Sequence, residues 1–173
     1  MAIQTNTETR IPPSSIDYEE ILLGSVILVE SLEFCFKTVK AEEFYKKEHK
    51  IIYQIMEELH NARQPINYST IVHLLKQRRQ LDLIGDSYYI RHLSNTGMAV
   101  PSQIDYYAKI IHQEFVSRSM IELAYKILDK AYDPGIDISD LIDETLISIA
   151  ALQAVNIMDI PTVLHYERVF IKG

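Results

Sequence analysis

The stretch Ile11-Pro-Pro-Ser-Ser-Ile-Asp-Tyr-Glu-Glu-Ile-Leu-Leu-Gly-Ser-Val-Ile-Leu28 decides the fold class. Two prolines hold the backbone extended, Ser14 or Ser15 offers an N-cap, and Asp17, Glu19 and Glu20 fill the early turns, where acids favour the helix dipole. Behind them Tyr18, Ile21, Leu22, Val26 and Val29 fall on one helical stripe. Leu23, Ile27 and Leu28 widen that stripe until little polar surface remains. A helix apolar nearly all round is the buried centre of its domain. Gly24 lowers its propensity by roughly 1 kcal/mol relative to Ala, which points to the close approach of a neighbouring helix.

The same period continues outward, so the expected fold is all-α. A short helix fits Leu32 to Val39, and another Lys47 to Asn61, with Ile51, Ile52, Ile55, Met56 and Leu59 on one face. Asn67 or Ser69 caps a helix that buries Ile71, Leu74 and Leu75 and ends near Gln80 in the basic Lys76-Gln-Arg-Arg79. Bases in a last turn complement the dipole, so this run reads as a solvated face rather than a nucleic-acid patch. After Ile84-Gly-Asp86 a short helix carries Tyr88, Tyr89, Ile90 and Leu93.

Ser94-Asn-Thr-Gly-Met-Ala-Val-Pro101 is the clearest internal boundary. Beyond it, Ser102 to about Tyr132 reads as one helix roughly 45 Å long. Asp133-Pro-Gly-Ile-Asp137 stops it, and a shorter helix follows from Ser139 to Leu152. Two helices on a short connection form an antiparallel hairpin, which cannot cover its apolar faces on all sides. It is expected to pack on another copy or on the globular part. The expected architecture is therefore a flexible tail over 1–10, a compact multi-helix globular bundle over 11–99, a long protruding αα-hairpin over 100–152, and a linker or the start of a linker helix over 153–173. The apolar close at Val169-Phe-Ile-Lys-Gly173 suggests a chain that continues, or a piece that docks on a partner.

Composition narrows the function. With 24 acids against 17 bases the net charge is −7, a poor balance for gripping DNA, so no direct DNA binding is expected from this domain. The single cysteine, Cys35, sits among apolar neighbours and reads as a buried, inert thiol in a reducing compartment. The run Ile21 to Val29 is too short for a bilayer, which needs about 20 residues, and no targeting segment is visible. A cytoplasmic protein without a membrane partner is expected. The glycines never cluster, so a phosphate loop of the G-x-x-x-x-G-K-[ST] kind is absent. Glu57-Glu-Leu-His60 places an acid and a histidine on one helix face, but a di-iron bundle needs that pair twice, so no metal is expected. His49 reads as a packing residue at a helix start; the other histidines have no ligand spacing. The 11 tyrosines read as core edges and interface anchors.

Pro12-Pro13-Ser-Ser-Ile-Asp17-x-Glu19-x-x-Leu22-Leu23-Gly24 resembles the start of the N-terminal domain of DnaB-type replicative DNA helicases. Glu43-Phe44-Tyr45-x-x-x-His49-x-x-Ile52, Pro65-Ile66-Asn67, Leu81-Asp82-x-Ile84-Gly85, Tyr89-Ile90 and Tyr107-Ala108-x-Ile110-Ile111 follow in the family's order. The resemblance covers Pro12 to Leu152. Asp17 and Tyr18 replace the family's Glu-Ala, Asp86 stands where a second glycine is common, and residues 153–173 match the linker poorly. The ATPase domain is missing, so no catalytic residue carries over and ATP and Mg are expected only in a motor domain.

What the resemblance implies is a non-catalytic collar. Globular part and hairpin would form two kinds of dimer contact, arranging a hexamer as a trimer of dimers, and the collar would dock primase and possibly a helicase loader. Face periodicity nominates Ile104, Tyr107, Ile111, Phe115, Ile121, Leu128, Leu141 and Ile142 for self-association. A free-standing loader or replication regulator that mimics the collar is the alternative. An enzyme of the carboxylate-bridged metal class would need bound iron or manganese.

Overall fold

The computed structural model describes residues 11–29, 33–97 and 101–156, and every regular element among them is helical. In chain order these are α1 (Ile16–Leu28), α2 (Glu33–Thr38), α3 (Lys47–Asn61), α4 (Tyr68–Gln77), α5 (Ser87–Thr96), α6 (Pro101–Ala131) and α7 (Ile138–Asn156). Short 3-10 helices at Ala41–Glu43 and Leu81–Ile84 join them. The expected tail over 1–10, and the linker from residue 157 on, lie outside the described residues. Residues 153–156 continue α7, so the second arm of the hairpin is a turn longer than its sequence limits suggest.

α1 is the centre, packed against α5, α6 and α3. Leu22 and Leu23 are fully buried in it, beside Phe44, Tyr53, Ile55 and Leu93 from the surrounding elements. Gly24 marks the expected close approach: a Cβ there would stand 2.0 Å from the Leu93 carbonyl oxygen, and one on Gly97 only 2.4 Å from the Gly24 carbonyl carbon. Helix meets helix backbone to backbone, and no side chain fits between them.

The helix ends show which local signals operate. Asn67 takes the Thr70 N–H on its side chain while Thr70 Oγ1 accepts the Asn67 N–H, a full capping box. Asp86 caps α5 through the N–H groups of Tyr88 and Tyr89. Ser15 occupies the N-cap position of α1 but makes no cap bond. Its hydroxyl instead donates to Glu114 Oε1 at 2.5 Å, tying the start of α1 to α6. α3 and α4 close alike: Arg63 and Arg79 stand in the left-handed region at φ 54° and 55°, and the next N–H returns to the Leu59 and Leu75 carbonyls.

α6 is shared between two parts of the molecule. Its first turns carry Ile104, Ala108 and Ile111 into the globular core, so the sequence break before Pro101 is not where packing ends. Arg118 then pins the helix to the globular part, donating to the carbonyls of Pro13, at 2.7 Å, and of Glu43. Nearby, His112 Nδ1 lies 2.8 Å from Glu43 Oε2, both side chains being almost closed to solvent. Past this anchor α6 projects and, among the described elements, pairs with α7; Leu141 is buried between them, and Lys130 forms an ion pair with Glu144.

Gly24→Ala is expected to lower unfolding free energy by about 2 kcal/mol or more in urea titration, because the added methyl meets a backbone oxygen that cannot step aside.

Candidate functional site

Two places in the molecule gather unusual side chains. The first is buried. Glu19, 1% exposed among the acids that open α1, accepts the Tyr45 N–H at 2.5 Å and the Lys46 N–H at 3.3 Å. His49 Nδ1 lies 2.6 Å from the same carboxylate, and its Nε2 2.6 Å from the Tyr89 hydroxyl. Tyr89 also receives Lys46 Nζ at 2.8 Å and donates to Glu20 Oε1 at 3.0 Å. The phenol has one proton, so with that proton given to Glu20 its oxygen accepts from Lys46. Burial, followed by the charge of Glu20, holds the Tyr89 hydroxyl well above the usual phenol range.

A carboxylate, an imidazole and a hydroxyl in line are the parts of a nucleophilic relay. Here the central groups, Glu19 and His49, are sealed from solvent, and the chain of bonds runs between α1, α3 and α5. The network bolts helices together; it does not address a substrate. His49 was legible as a helix-start packing residue, and its partner Glu19 was not, because an acid in a first turn already has an explanation in the dipole.

The second place is the hairpin. A groove of about 1000 Å³ opens between its arms, lined by Phe115, Leu123, Leu128 and Tyr132 of α6 and by Leu152 and Val155 of α7. Tyr132 is 78% exposed. No described segment of the chain covers this apolar surface.

Of the residues nominated from periodicity, Phe115 and Leu128 line the groove. Ile121 and Ile142 are exposed on the arms outside it, and Leu141 closes the arms on each other. The Tyr107 ring lies tilted against that of Tyr18 on α1, centroids 4.9 Å apart. Ile104 and Ile111 are core residues of the chain's own globular part, closed to any partner. Val155 was missed because the reading ended the helix at Leu152, before the groove does.

The remaining candidate chemistry dissolves into packing. The Cys35 thiol is buried and pushed up to about 12, by desolvation first and the charge of Asp105 second. His60 stacks on Phe36 at 4.2 Å, and burial raises the carboxyl of Glu57 beside it. Among the described residues no three His, Cys, Asp or Glu side chains are grouped to hold a metal ion. No helix among them is long and apolar enough to cross a membrane.

Fold and pattern together define an α-helical domain with a buried polar network and a projecting hairpin. The profile of the DnaB-like helicase N-terminal domain matches residues 11–113, and the chain belongs to that family. That match ends where α6 leaves the globular part. The chain is 28% identical over 149 residues to the replicative DNA helicase DnaB of Rhodothermus marinus, covering 86% of this chain and 16% of that protein. It is 32% identical to the replicative DNA helicase DnaB of Geobacillus stearothermophilus, covering 78% of this chain and 30% of that one. The chain thus spans less than a third of the length of either. The crystal structure of the N-terminal domain of DnaB helicase from Mycobacterium tuberculosis has the same fold, with a TM-score of 0.72 at 23% identity, over 82% of this chain and 99% of that one.

Removing Glu19 strands two backbone N–H groups and His49 in the interior. Glu19→Ala and His49→Ala are each expected to cost about 3 kcal/mol or more. The double variant should cost much less than the sum, read as a coupling energy in chemical denaturation.

Proposed function

We propose that the chain is the non-catalytic collar of a replicative DNA helicase, self-associating through its hairpin. Copies pair arm to arm over the apolar groove, and the pairs assemble as a trimer of dimers within a hexamer. The observation that carries this reading is the groove itself. Phe115, Leu123, Leu128, Leu152 and Val155 form an apolar trough of about 1000 Å³ on a projecting arm, away from the chain's own core. Large contiguous apolar surfaces on soluble domains mark association sites. Family membership supports a role in DNA replication, and the names of the relatives supply its setting.

In this reading the chain does no chemistry. ATP and Mg belong to a motor domain outside it, and the collar's task in the cytoplasm is to space the motors and to dock primase, coupling unwinding to primer synthesis. A helicase loader competes for, or shares, the same collar. A free-standing loader or regulator that copies the collar would use the same surface to cap the helicase. A reading frame running on past Gly173 into a Gly-Lys-Ser/Thr loop separates the two.

The test is the mass of the protein in solution. Sedimentation equilibrium over a concentration series is expected to show dimers for the natural chain. Leu128→Glu with Tyr132→Glu should move it to monomer while the thermal unfolding of the globular part is unchanged. A natural chain that stays monomeric, or a double variant that still pairs, would rule out the groove as the contact.

A further inference from the structure

The charge of the molecule is not evenly spread. From Leu59 to Leu81 there is no Asp or Glu at all, while Arg63, Lys76, Arg78 and Arg79 fall within it. α5 adds Arg91 and again carries no acid. The neighbouring acids are Glu58 of α3, which pairs with Arg78, and the exposed Asp82 and Asp86 on the connection between α4 and α5; against these three, the five bases Arg63, Lys76, Arg78, Arg79 and Arg91 leave the α4–α5 side net positive on an acidic protein. Folding concentrates the bases. Arg78 pairs with Glu58 of α3, which joins the C-terminal ends of α3 and α4 and brings along the residues that follow, Arg63 and Arg79. Both arginines are exposed and stand in the left-handed conformation, where a glycine would sit without strain.

Apolar groups stand beside these bases. Leu83, on the turn directly after Arg79, is 54% exposed, and Tyr88, one helical turn before Arg91 on α5, is 74% exposed. Arg91 lies over the ring of Tyr68 at 5.4 Å. The Tyr68 phenol is held below its usual range by a hydrogen bond from Ser87 first, then by Arg91, with the charge of Lys76 adding to it. Cations from two helices thus face one patch.

We propose that the α4–α5 face docks an amphipathic acidic segment of a partner protein, its carboxylates on Lys76, Arg79 and Arg91 and its apolar side chains on Leu83 and Tyr88. Local charge favours an anionic partner. The acidic remainder of the chain repels a long polyanion that runs past the patch, and an exposed leucine gives nothing to a phosphate backbone, so a short peptide fits better than a nucleic-acid strand. Carboxylates suit guanidinium forks, which take them two bonds at a time. This surface lies apart from the hairpin and does not rest on the hairpin's role.

The probe is a fluorescein-labelled peptide of about 12 residues built from Glu and Leu, followed by anisotropy against the whole chain in about 50 mM salt. Binding is expected, weakening at least about fivefold when salt rises to about 300 mM. Arg79→Gly removes a charge while relieving the backbone, so it folds as well as the natural chain. It and Arg91→Ala are each expected to weaken binding about threefold or more. Lys37→Glu, at an exposed position of α2, should leave binding unchanged, as should the hairpin double variant. No binding at low salt, or binding indifferent to Arg79→Gly and Arg91→Ala, overturns the proposal. So does displacement of the peptide by a lower concentration of oligothymidylate, which would make the face a nucleic-acid site. A change in sedimenting mass caused by Arg79→Gly and Arg91→Ala would likewise overturn it, by making the face a contact between copies.

Discussion

The globular part of this protein depends on one buried carboxylate. Past its opening acids α1 is almost wholly apolar, and Glu19 is the fully enclosed charge on it. A lone carboxylate in such a place is prohibitive, so the surroundings have to come to it. They arrive as the N–H groups of Tyr45 and Lys46 and the ring of His49, all from the bend that starts α3. His49 then hands the chain of bonds to Tyr89 on α5. The same contact that satisfies the charge fixes the register of two helices, α3 and α5, around the central one. Gly24, near the other end of α1, completes the placement by letting α5 approach to backbone contact.

Much of this was legible in the sequence. The helical period gave the all-α class, Lys47–Asn61 has the limits expected of it, and Asn67 caps as its type and position suggest. Gly24 announced a close approach, and its partner is Gly97. What the sequence left open was every pairing over distance. Ser15 had the form of a cap and bonds Glu114 instead, ninety-nine residues on. Ile104 and Ile111 shared the helical face nominated for self-association, yet they lie in the chain's own core. Periodicity reports that a face is apolar; it does not say whether the cover comes from the same chain or another. The groove escaped in part for a different reason. Its far end lies on the last turn of α7, beyond the limit read from the sequence.

The buried histidines show how a motif divides into chemistry and structure. In the line Glu19–His49–Tyr89 the atoms stand as a relay would have them, and closure to solvent decides their use. His112 and Glu43 repeat the pairing of imidazole with carboxylate where α6 leaves the globular part. In both cases an acid and a histidine from distant parts of the chain lock an element whose orientation matters to what projects from it.

The sharing of α6 has a mechanical consequence. A single helix about 46 Å long runs from the interior of the globular part to the tip of the arm, and Arg118 clamps it by two carbonyls where it emerges. There is no elbow at that point. The arm is a cantilever: a load at its tip is borne as gradual bending along many hydrogen-bonded turns, and the resulting moment is delivered to the core through Ile104, Ala108 and Ile111 rather than lost in a loose joint.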